Sequence, residues 1–579
     1  MLLFVLILIS WSIILGLATL LIVRFNCNVL TSGSVDRLYR TFSRQAAKYA
    51  EHPYLCMTAI ATFVIVLRLC ALPVLPIPEP RSHDEFSYLL GAETFASGRI
   101  TNPQHPLWQF FETEHVLVRP TYMSKYPPAQ ALALASGLKL GSYWYGVLGS
   151  FAVMCSLIFW MACGYLPVRW ALLAGVLPLV HPGIASYWCN SYFGGAMAAI
   201  GAALVFGACA RLCKEVTTPP AVALSIGLVI LANSRPFEGL AATVVPLCWL
   251  LHTTLIKKRL GLAAIRSHLV YPMLVLTVAA AGMFYFNYRI TGNAMVMPYF
   301  ELHKQYSPIP LWLGKPLAPV PIYNNPQLRD NYARADLADF NKVQTFAGWL
   351  DMVINDRLMG AMYFFVGIWL MPMAAASLLS LRDGRVRILW LSTAVMSGAI
   401  ALEVFFQRHY LAPITAPLYV LLVQGFRHLR LIKLQNRQVG LVLARLVLAV
   451  AFLGVLIGLF NLPTVRSIAQ HEQDVFPRLK IMKQLSALPG KQLVIVHYAD
   501  GHDPRREYVV NSADIDGSKV VWARDLGADK NKQLLDYYRD RQVWYFDPDC
   551  LPEPRLYTLE ESKSANFSKS VSTDSWLQQ

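Results

Sequence analysis

The feature that most constrains the fold is a series of apolar segments, each about 20 residues long, that recurs up to residue 461. A segment of this length and polarity can cross a bilayer as an α-helix. We predict about twelve of them, at residues 2–23, 54–74, 143–164, 170–188, 193–210, 219–234, 237–255, 269–288, 358–380, 388–406, 410–426 and 440–461. With 55% hydrophobic and 15% charged residues, the chain is too apolar for a soluble protein. The expected fold class is therefore membrane all-α, a polytopic helical bundle of about 12 transmembrane helices.

Lys and Arg predict how the bundle is oriented. They concentrate in alternate loops, which the positive-inside rule assigns to the cytoplasm. These loops contain Arg24, Arg37, Arg40, Arg44, Lys48, Arg169, Arg211, Lys214, Lys257, Lys258, Arg259, Arg266, Arg382, Arg385, Arg387, Arg427, Arg430, Lys433 and Arg437. They account for the net charge of +16, so nucleic acid is not an expected partner. We expect an integral protein of the bacterial inner (plasma) membrane, with its active site on the extracytoplasmic face.

The polarity of the chain divides it into four parts. Residues 1–53 are predicted to form an N-terminal transmembrane helix and a basic cytoplasmic loop, and residues 54–461 the main transmembrane domain with external loops 75–142 and 289–357. Residues 462–561 have the composition of a small extracytoplasmic α/β domain, with strands at 491–497, 519–523 and 542–546 and a helix at 531–539. The serine-rich residues 562–579 are expected to be a disordered tail.

The first external loop contains the first large group of titratable residues. Ser82 and Glu85 have the spacing of a capping box, and Gly98 is a C-terminal stop, so a helix is expected between them. A second amphipathic helix is expected at 127–138. Together the two helices would form the roof of a membrane-embedded cavity.

Asp84 is the main catalytic candidate. A carboxylate at a helix start just outside a membrane span could act as general base for a hydroxyl acceptor. Neighbouring helical residues point about 100° apart, so we assign Glu85 to the cap and leave Asp84 for the chemistry, with Glu85 and His83 as possible catalytic support. The alternative is that both carboxylates are ordinary helix-start residues at the interface.

Several cations near the same membrane face are candidates for binding a phosphate, since guanidinium and ammonium groups suit that ligand. They are Lys125, Arg235, Arg408 and His409. Each has a simpler alternative: a snorkelling lysine, a headgroup anchor or an ion pair of Arg235 with Glu238, and a helix cap. The residues assigned to sugar or acceptor binding are Tyr88, Tyr126, Asn190, Tyr192 and Glu238.

The first loop resembles that of GT-C superfamily integral-membrane glycosyltransferases, in particular the family 39-like branch. The resemblance rests on the acidic pair Asp84-Glu85 followed by Tyr88-Leu89-Leu90 and Gly98, on the segment Lys125-Tyr126-Pro127-Pro128, and on many spans followed by an external domain. The chain departs from the pattern in an additional span before the acidic loop and in a C-terminal module that matches no family, so the acceptor stays open.

The resemblance implies a sugar donor linked to polyprenyl phosphate, lodged between helices with its phosphate at the external face. It also implies an inverting displacement onto a hydroxyl of an extracytoplasmic glycan, lipid or protein, with membrane lipid as a further partner. Some relatives use a divalent metal and others do not, so Mg²⁺ or Mn²⁺ stays open as a cofactor, the metal ligands are unknown and no cofactor is certain.

Three other functions remain open from the sequence. A transporter or flippase of lipid-linked sugars would carry ionisable residues near the bilayer midplane and interrupted helices in two halves, neither of which is clear here. A membrane scaffold would leave the polar cluster of the first loop without a purpose. A glycan ligase or polymerase, or an oligosaccharyltransferase, would have similar site chemistry.

Overall fold

The computed structural model describes residues 52–180, 187–256, 262–367, 369–434, 438–460, 478–499, 501–503, 506–550 and 554–564, together with six residues between 33 and 45. The predicted span at 2–23 lies outside the described residues, as does most of the predicted tail. The α-helices are Pro53–Cys70, His83–Ala96, Pro128–Lys139, Tyr143–Ala162, Val168–Val176, Gly195–Leu212, Thr218–Ala232, Pro236–Leu251, Leu262–Thr291, Pro298–Tyr306, Pro326–Arg329, Asp336–Lys342, Phe346–Asp351, Gly360–Phe365, Met371–Ser377, Arg387–Ile400, Thr415–Leu429, Val439–Phe460, Arg478–Ala487, Ala528–Tyr537 and Leu559–Ser564.

Shorter helical turns interrupt or extend these elements. The 3-10 helices are Trp108–Phe111, Leu177–Val180, Leu378–Arg382 and Arg408–Ile414, and the π-helices are His252–Ile256, Asp330–Ala335 and Met352–Met359. A single helix over the predicted span 358–380 is wrong. Its described residues instead form a π-helix end, two short helices and a 3-10 helix. Gly367, in the left-handed region at φ 59°, lies between the two short helices and lets the chain turn there.

Four helices in the described part of the chain are long and apolar enough to cross a membrane: Pro53–Cys70, Tyr143–Ala162, Gly195–Leu212 and His268–Thr291. Four shorter apolar helices accompany them, at Val168–Leu179, Thr218–Ala232, Arg387–Ile400 and Val439–Ala451. Small residues let some helices approach closely, because a Cβ on Gly146 would lie 2.1 Å from the carbonyl oxygen of Ala133. The fold is helical, and the count of about twelve spans stays a prediction.

The loop at 75–142, the first of the two predicted to be external, folds as its capping signals predict. The Ser82 side chain accepts from the Glu85 backbone N–H while the Glu85 carboxylate accepts from the Ser82 N–H, so the capping box is confirmed. Gly98 has φ +75° just past the helix end. The second predicted helix is confirmed at Pro128–Lys139. Between the two helices, strands β1 (Asn102–Pro103), β2 (Val116–Leu117) and β3 (Thr121–Ser124) form a small antiparallel sheet in the order β1-β3-β2.

The loop at 289–357, the second one predicted to be external, packs beside the first. Its short helices between Pro298 and Asp351 include Pro298–Tyr306 and Asp336–Lys342. Leu302, Tyr306 and Leu328 share a buried apolar cluster with Leu117 and Met123 of the first loop. This packing gives the second loop a fixed position relative to the first.

The C-terminal module is an α/β unit, as predicted. Strands β4 (Lys491–Val496), β5 (Val520–Arg524), β6 (Arg541–Asp547) and β7 (Arg555–Thr558) form one sheet in the order β5-β4-β6-β7. Strand β4 is parallel to β5 and β6, and β7 is antiparallel to β6. The sequence analysis missed β7 and the helix Arg478–Ala487.

The C-terminal module packs directly on the first loop. Leu90, Phe110 and Phe111 of the loop share a buried cluster with Leu493 and Val521 of the sheet, among other residues. A buried ion pair lies at this interface. The guanidinium of Arg524 donates to the Glu507 carboxylate and to the backbone oxygen of Glu112. The module therefore supports the loop that carries Asp84.

Candidate active site

A polar cavity of about 830 Å³ opens between the two external loops and the segment 404–410. Asp84, His115, Lys125 and Tyr126 line it from the first loop, and Asp336, Asp339, Asp351 and Asp356 are among the residues that line it from the second. Its size is sufficient for a sugar and part of an acceptor. The cavity therefore lies against the loop that the sequence analysis singled out.

Asp84 lies in the first turn of the His83–Ala96 helix, with its side chain 24% exposed. Its Oδ1 accepts a hydrogen bond from the Tyr126 hydroxyl, and the Nε2 of His115 lies 3.8 Å from the same oxygen. Tyr88 stacks on the Tyr126 ring, with 4.3 Å between the ring centroids, and so holds that ring in place. Asp84 thus has a defined orientation and access to the cavity.

Lys125 determines the tautomer of His115. The Lys125 ammonium is 2.8 Å from His115 Nδ1. An ammonium has no lone pair, so Nδ1 must accept this hydrogen bond and the imidazole proton must be on Nε2, facing Asp84. Burial and the Lys125 charge hold the pKa of His115 well below its usual range, which keeps this imidazole neutral.

Burial lowers the pKa of Lys125 to about 8, against the opposing charges of Asp84 and Glu114. Burial acts to raise the pKa of the Asp84 carboxyl, but nearby His115 and Lys125 and the hydrogen bond from Tyr126 hold that pKa well below its usual range. Near neutral pH the Asp84 carboxylate is therefore ionised, and the Lys125 ammonium loses its charge when the pH rises only slightly above neutral.

Glu85 and His83 point away from Asp84. The Glu85 carboxylate receives the cap hydrogen bond and also accepts from the Tyr192 backbone N–H at 2.9 Å. His83 Nε2 lies 3.5 Å from Glu114 Oε2. The position of Glu85 agrees with its assignment to the helix cap, and both residues hold the helix start rather than line the cavity.

A second, smaller cavity of about 120 Å³ adjoins the first. The two share Tyr126, Tyr299, Phe405 and Tyr410. Arg235 lines the smaller one, with its guanidinium carbon 4.0 Å from the Tyr410 ring centroid and its Nη1 3.4 Å from Glu238 Oε1. The rest of its wall is largely apolar and includes Phe237, Met297, Phe300, Leu311 and Trp312.

Five of the predicted binding residues lie outside both cavities, and Tyr88, which stacks on Tyr126, is one of them. Arg408 is exposed beside Gly360. Asn190 accepts a hydrogen bond from Arg68 at 2.8 Å, and the Tyr192 hydroxyl donates to the Pro78 backbone oxygen at 2.8 Å. His409 is buried with its Nδ1 3.2 Å from the Tyr187 hydroxyl. The structure therefore brings together Asp84, Lys125, Tyr126, Arg235 and Glu238 from the predicted set.

Most residues of the larger cavity were missed from the sequence, among them His115, Arg357 and Asp336. Arg357 is 4% exposed, donates to the Glu403 backbone oxygen, and leaves Nε and Nη1 without a hydrogen-bond partner among the described residues. Burial and the neighbouring Glu114 raise the pKa of Asp336 to about 7. Arg357 directly precedes an apolar segment, as an arginine that anchors a helix at the membrane surface does. The sequence pattern therefore did not distinguish it as a binding residue.

Among the described residues, no group of three or more His, Cys, Asp and Glu side chains is arranged to hold a metal ion.

Comparison with solved structures gives similarities at low sequence identity. ArnT from Cupriavidus metallidurans bound to undecaprenyl phosphate aligns over 85% of this chain and 92% of its own, with 13% identity and a TM-score of 0.47. The apo oligosaccharyltransferase of Archaeoglobus fulgidus aligns over 86% and 69%, with 10% identity and a TM-score of 0.43. The oligosaccharyltransferase AglB of that organism, in complex with an inhibitory peptide and a dolichol-phosphate, gives 9% identity and a TM-score of 0.35.

No protein-family model and no curated protein sequence matches the chain. At TM-scores below 0.5 these structural similarities do not assign a function to the chain.

Proposed function

We propose that the chain is a membrane glycosyltransferase that moves a sugar from a polyprenyl-phosphate donor to a hydroxyl of an extracytoplasmic glycan, lipid or protein. The observation that carries the proposal is the combination found in the larger cavity. An ionised, oriented carboxylate, Asp84, lies beside the ammonium of Lys125 and in the same cavity as Arg357. A general base next to anion-binding groups is what displacement of a phosphate by a hydroxyl requires.

The reaction proceeds as an in-line displacement. The acceptor oxygen forms a bond to the anomeric carbon while the bond from that carbon to the phosphate oxygen breaks, with inversion. The bonding electrons leave with the lipid phosphate, and the hydroxyl proton passes to Asp84. A phosphate leaving group needs cations more than it needs a general acid, and Lys125, Arg235 and Arg357 supply them from three different segments.

The electrostatics of Asp84 fit a base that is activated by the donor. The Lys125 charge helps to hold the Asp84 pKa low, which makes the carboxylate a weak base. A donor phosphate that recruits the Lys125 ammonium neutralises that charge. The Asp84 pKa then rises towards the value of a useful base, so the acceptor is deprotonated only when the donor is bound.

The smaller cavity suits the lipid part of such a donor. Its apolar wall adjoins the polar cavity at Tyr126 and Tyr299, so an amphiphile can place the first isoprene unit of its chain in the smaller cavity and its sugar in the larger, with its phosphate between Arg235 of the one and Lys125 of the other. The proposal also includes about twelve spans, the bacterial inner membrane, the extracytoplasmic site and the four-part domain division.

The test is release of free polyprenyl phosphate by the purified full chain, with a panel of polyprenyl-phosphate sugars and an envelope-glycan acceptor. Asp84→Asn should lower the turnover number at least about a hundredfold, the lower end for a general base. The matched control is Asp339→Asn, because Asp339 is an exposed rim carboxylate paired with Lys342 at 2.6 Å. Equal turnover of parent and Asp84→Asn would remove Asp84 from the chemistry. Donor binding without any release would favour the flippase.

A further inference from the structure

Four arginines gather at the end of the bundle opposite the catalytic cavity. Three of them surround one indole, since the guanidinium carbons of Arg169, Arg427 and Arg430 lie 5.9, 6.0 and 4.9 Å from the Trp170 ring centroid. Arg385 acts electrostatically on Arg427 together with Arg169 and Arg430. We call these four the arginine cluster.

Among the described residues, no ion pair joins a guanidinium group of the cluster to a carboxylate. Arg427 Nη1 donates to the Gln424 side-chain oxygen at 2.7 Å, and the opposing charge that acts on Arg427 is that of Asp383. Asp383 is the nearby acid, but its carboxylate already accepts from the Gln424 side chain at 2.9 Å and from the Arg385 backbone N–H at 3.0 Å. The half-buried Arg430 leaves its Nε without a hydrogen-bond partner among the described residues.

Electrostatic repulsion between the four arginines destabilises this arrangement, and a bound anion would remove that repulsion. Like charges held close together repel, and the repulsion grows where protein and lipid replace water. Cation–π contacts with Trp170 offset only part of this repulsion. A phosphate can accept hydrogen bonds from several guanidinium groups at once, because its oxygens match the planar arrangement of their N–H donors. The gathering of several guanidinium groups around Trp170 therefore indicates an anion with several acceptor oxygens.

The surroundings of the cluster suit a lipid better than a free ion. From Tyr410, which lines the catalytic cavity, to Arg427 is a helical distance of roughly 26 Å, close to the thickness of a bilayer core. Exposed leucines flank the cluster on the same segments, at Leu378, Leu379, Leu381 and Leu431. A cavity of about 600 Å³, lined also by Lys214, opens beside Arg385 and has room for a headgroup.

From this geometry we propose that the arginine cluster binds the phosphate headgroup of an anionic phospholipid in the leaflet opposite the active site. The phosphodiester lies against Arg169, Arg427 and Arg430, the rest of the headgroup extends towards Arg385, and the acyl chains cover the exposed leucines. Basic pockets at the cytoplasmic ends of membrane helices recognise lipid headgroups in this way. The inference is independent of the catalytic function.

The test uses the full chain in mild detergent and native mass spectrometry with equal concentrations of phosphatidylglycerol and phosphatidylcholine. The parent should retain phosphatidylglycerol about tenfold more than phosphatidylcholine, as expected for several charge-assisted hydrogen bonds. Arg430→Gln combined with Arg169→Gln should remove most of that preference. Arg387→Gln is the matched control, because Arg387 is an exposed arginine on the neighbouring helix and makes no contact with Trp170.

Two further measurements keep the result interpretable. Thermal unfolding without lipid checks that the variants fold, and the exposed Arg169→Gln change alone serves if the double variant does not. Thermal unfolding with added inorganic phosphate tests a free anion. Equal retention of the two lipids, unchanged retention in a folded variant, or stabilisation by inorganic phosphate equal to that by phosphatidylglycerol would each overturn the proposal.

Discussion

The charge of Lys125 gives the sharpest test of the proposed site. Burial lowers the pKa of this ammonium to about 8. The charged fraction in the free protein therefore falls from about nine in ten at pH 7 to about one in eleven at pH 9. If Lys125 holds the donor phosphate, kcat/KM for the donor falls about tenfold across that interval, since kcat/KM reports the free enzyme. A guanidinium stays charged throughout, so Lys125→Arg should lose this alkaline limb even if its activity at pH 7 is lower.

The assay is polyprenyl-phosphate release at donor concentrations well below KM, from pH 6 to pH 10. Asp336 serves as an internal check, because its ionised carboxylate is one of the charges that help Lys125 to keep its proton. Asp336→Asn removes that charge and lowers the Lys125 pKa. The fall of kcat/KM with rising pH should therefore begin at lower pH in this variant. A parent profile that is flat to pH 9 would refute the role of Lys125. An unchanged alkaline fall of kcat/KM in Lys125→Arg would also refute the role of Lys125.

Two further predictions concern buried arginines. Arg357→Gln should raise the donor KM about ten- to a hundredfold, as expected for loss of a charge-assisted hydrogen bond of about 1.5–3 kcal/mol, whereas Arg408→Gln, outside both cavities, should leave KM unchanged. Steady-state kinetics would count against the assignment if the two variants behaved alike. Arg524→Met should destabilise the protein by about 3–5 kcal/mol because it leaves the buried Glu507 carboxylate unpaired, and adding Glu507→Gln should restore part of the loss. Thermal unfolding measures both, and a melting temperature equal to that of the parent would contradict this view of the interface.

Local sequence rules predicted the parts of the fold that depend on neighbours in the chain. The capping box of Ser82 and Glu85 and the glycine stop at Gly98 involve residues a few positions apart, so their geometry follows from the pattern. Three of the four strands of the C-terminal module, β4, β5 and β6, were also predicted, since each is a short run rich in β-branched or aromatic residues. The position of Asp84 at a cavity wall follows from the same cap, because Glu85 is held by the backbone and Asp84 is left free to face outward.

The partners of buried polar groups could not be predicted in the same way. Asn190 was assigned to sugar binding, but the structure places its oxygen on Arg68, more than a hundred residues away in sequence. Arg408 and Arg357 flank the apolar regions in a similar pattern, yet only Arg357 faces the cavity. The difference depends on how the segment after Met352 bends, which is a property of long-range packing.

The shared core between the first loop and the C-terminal sheet has a consequence for biosynthesis. Leu90 and Phe111 are buried against Leu493 and Val521, residues that leave the ribosome some four hundred positions later. Domains generally fold in the order in which they are synthesised, but this contact cannot form until the last strands exist. The helix that presents Asp84 is therefore fully supported only in the finished chain, and an unfinished chain carries Asp84 on a loop that lacks this packing.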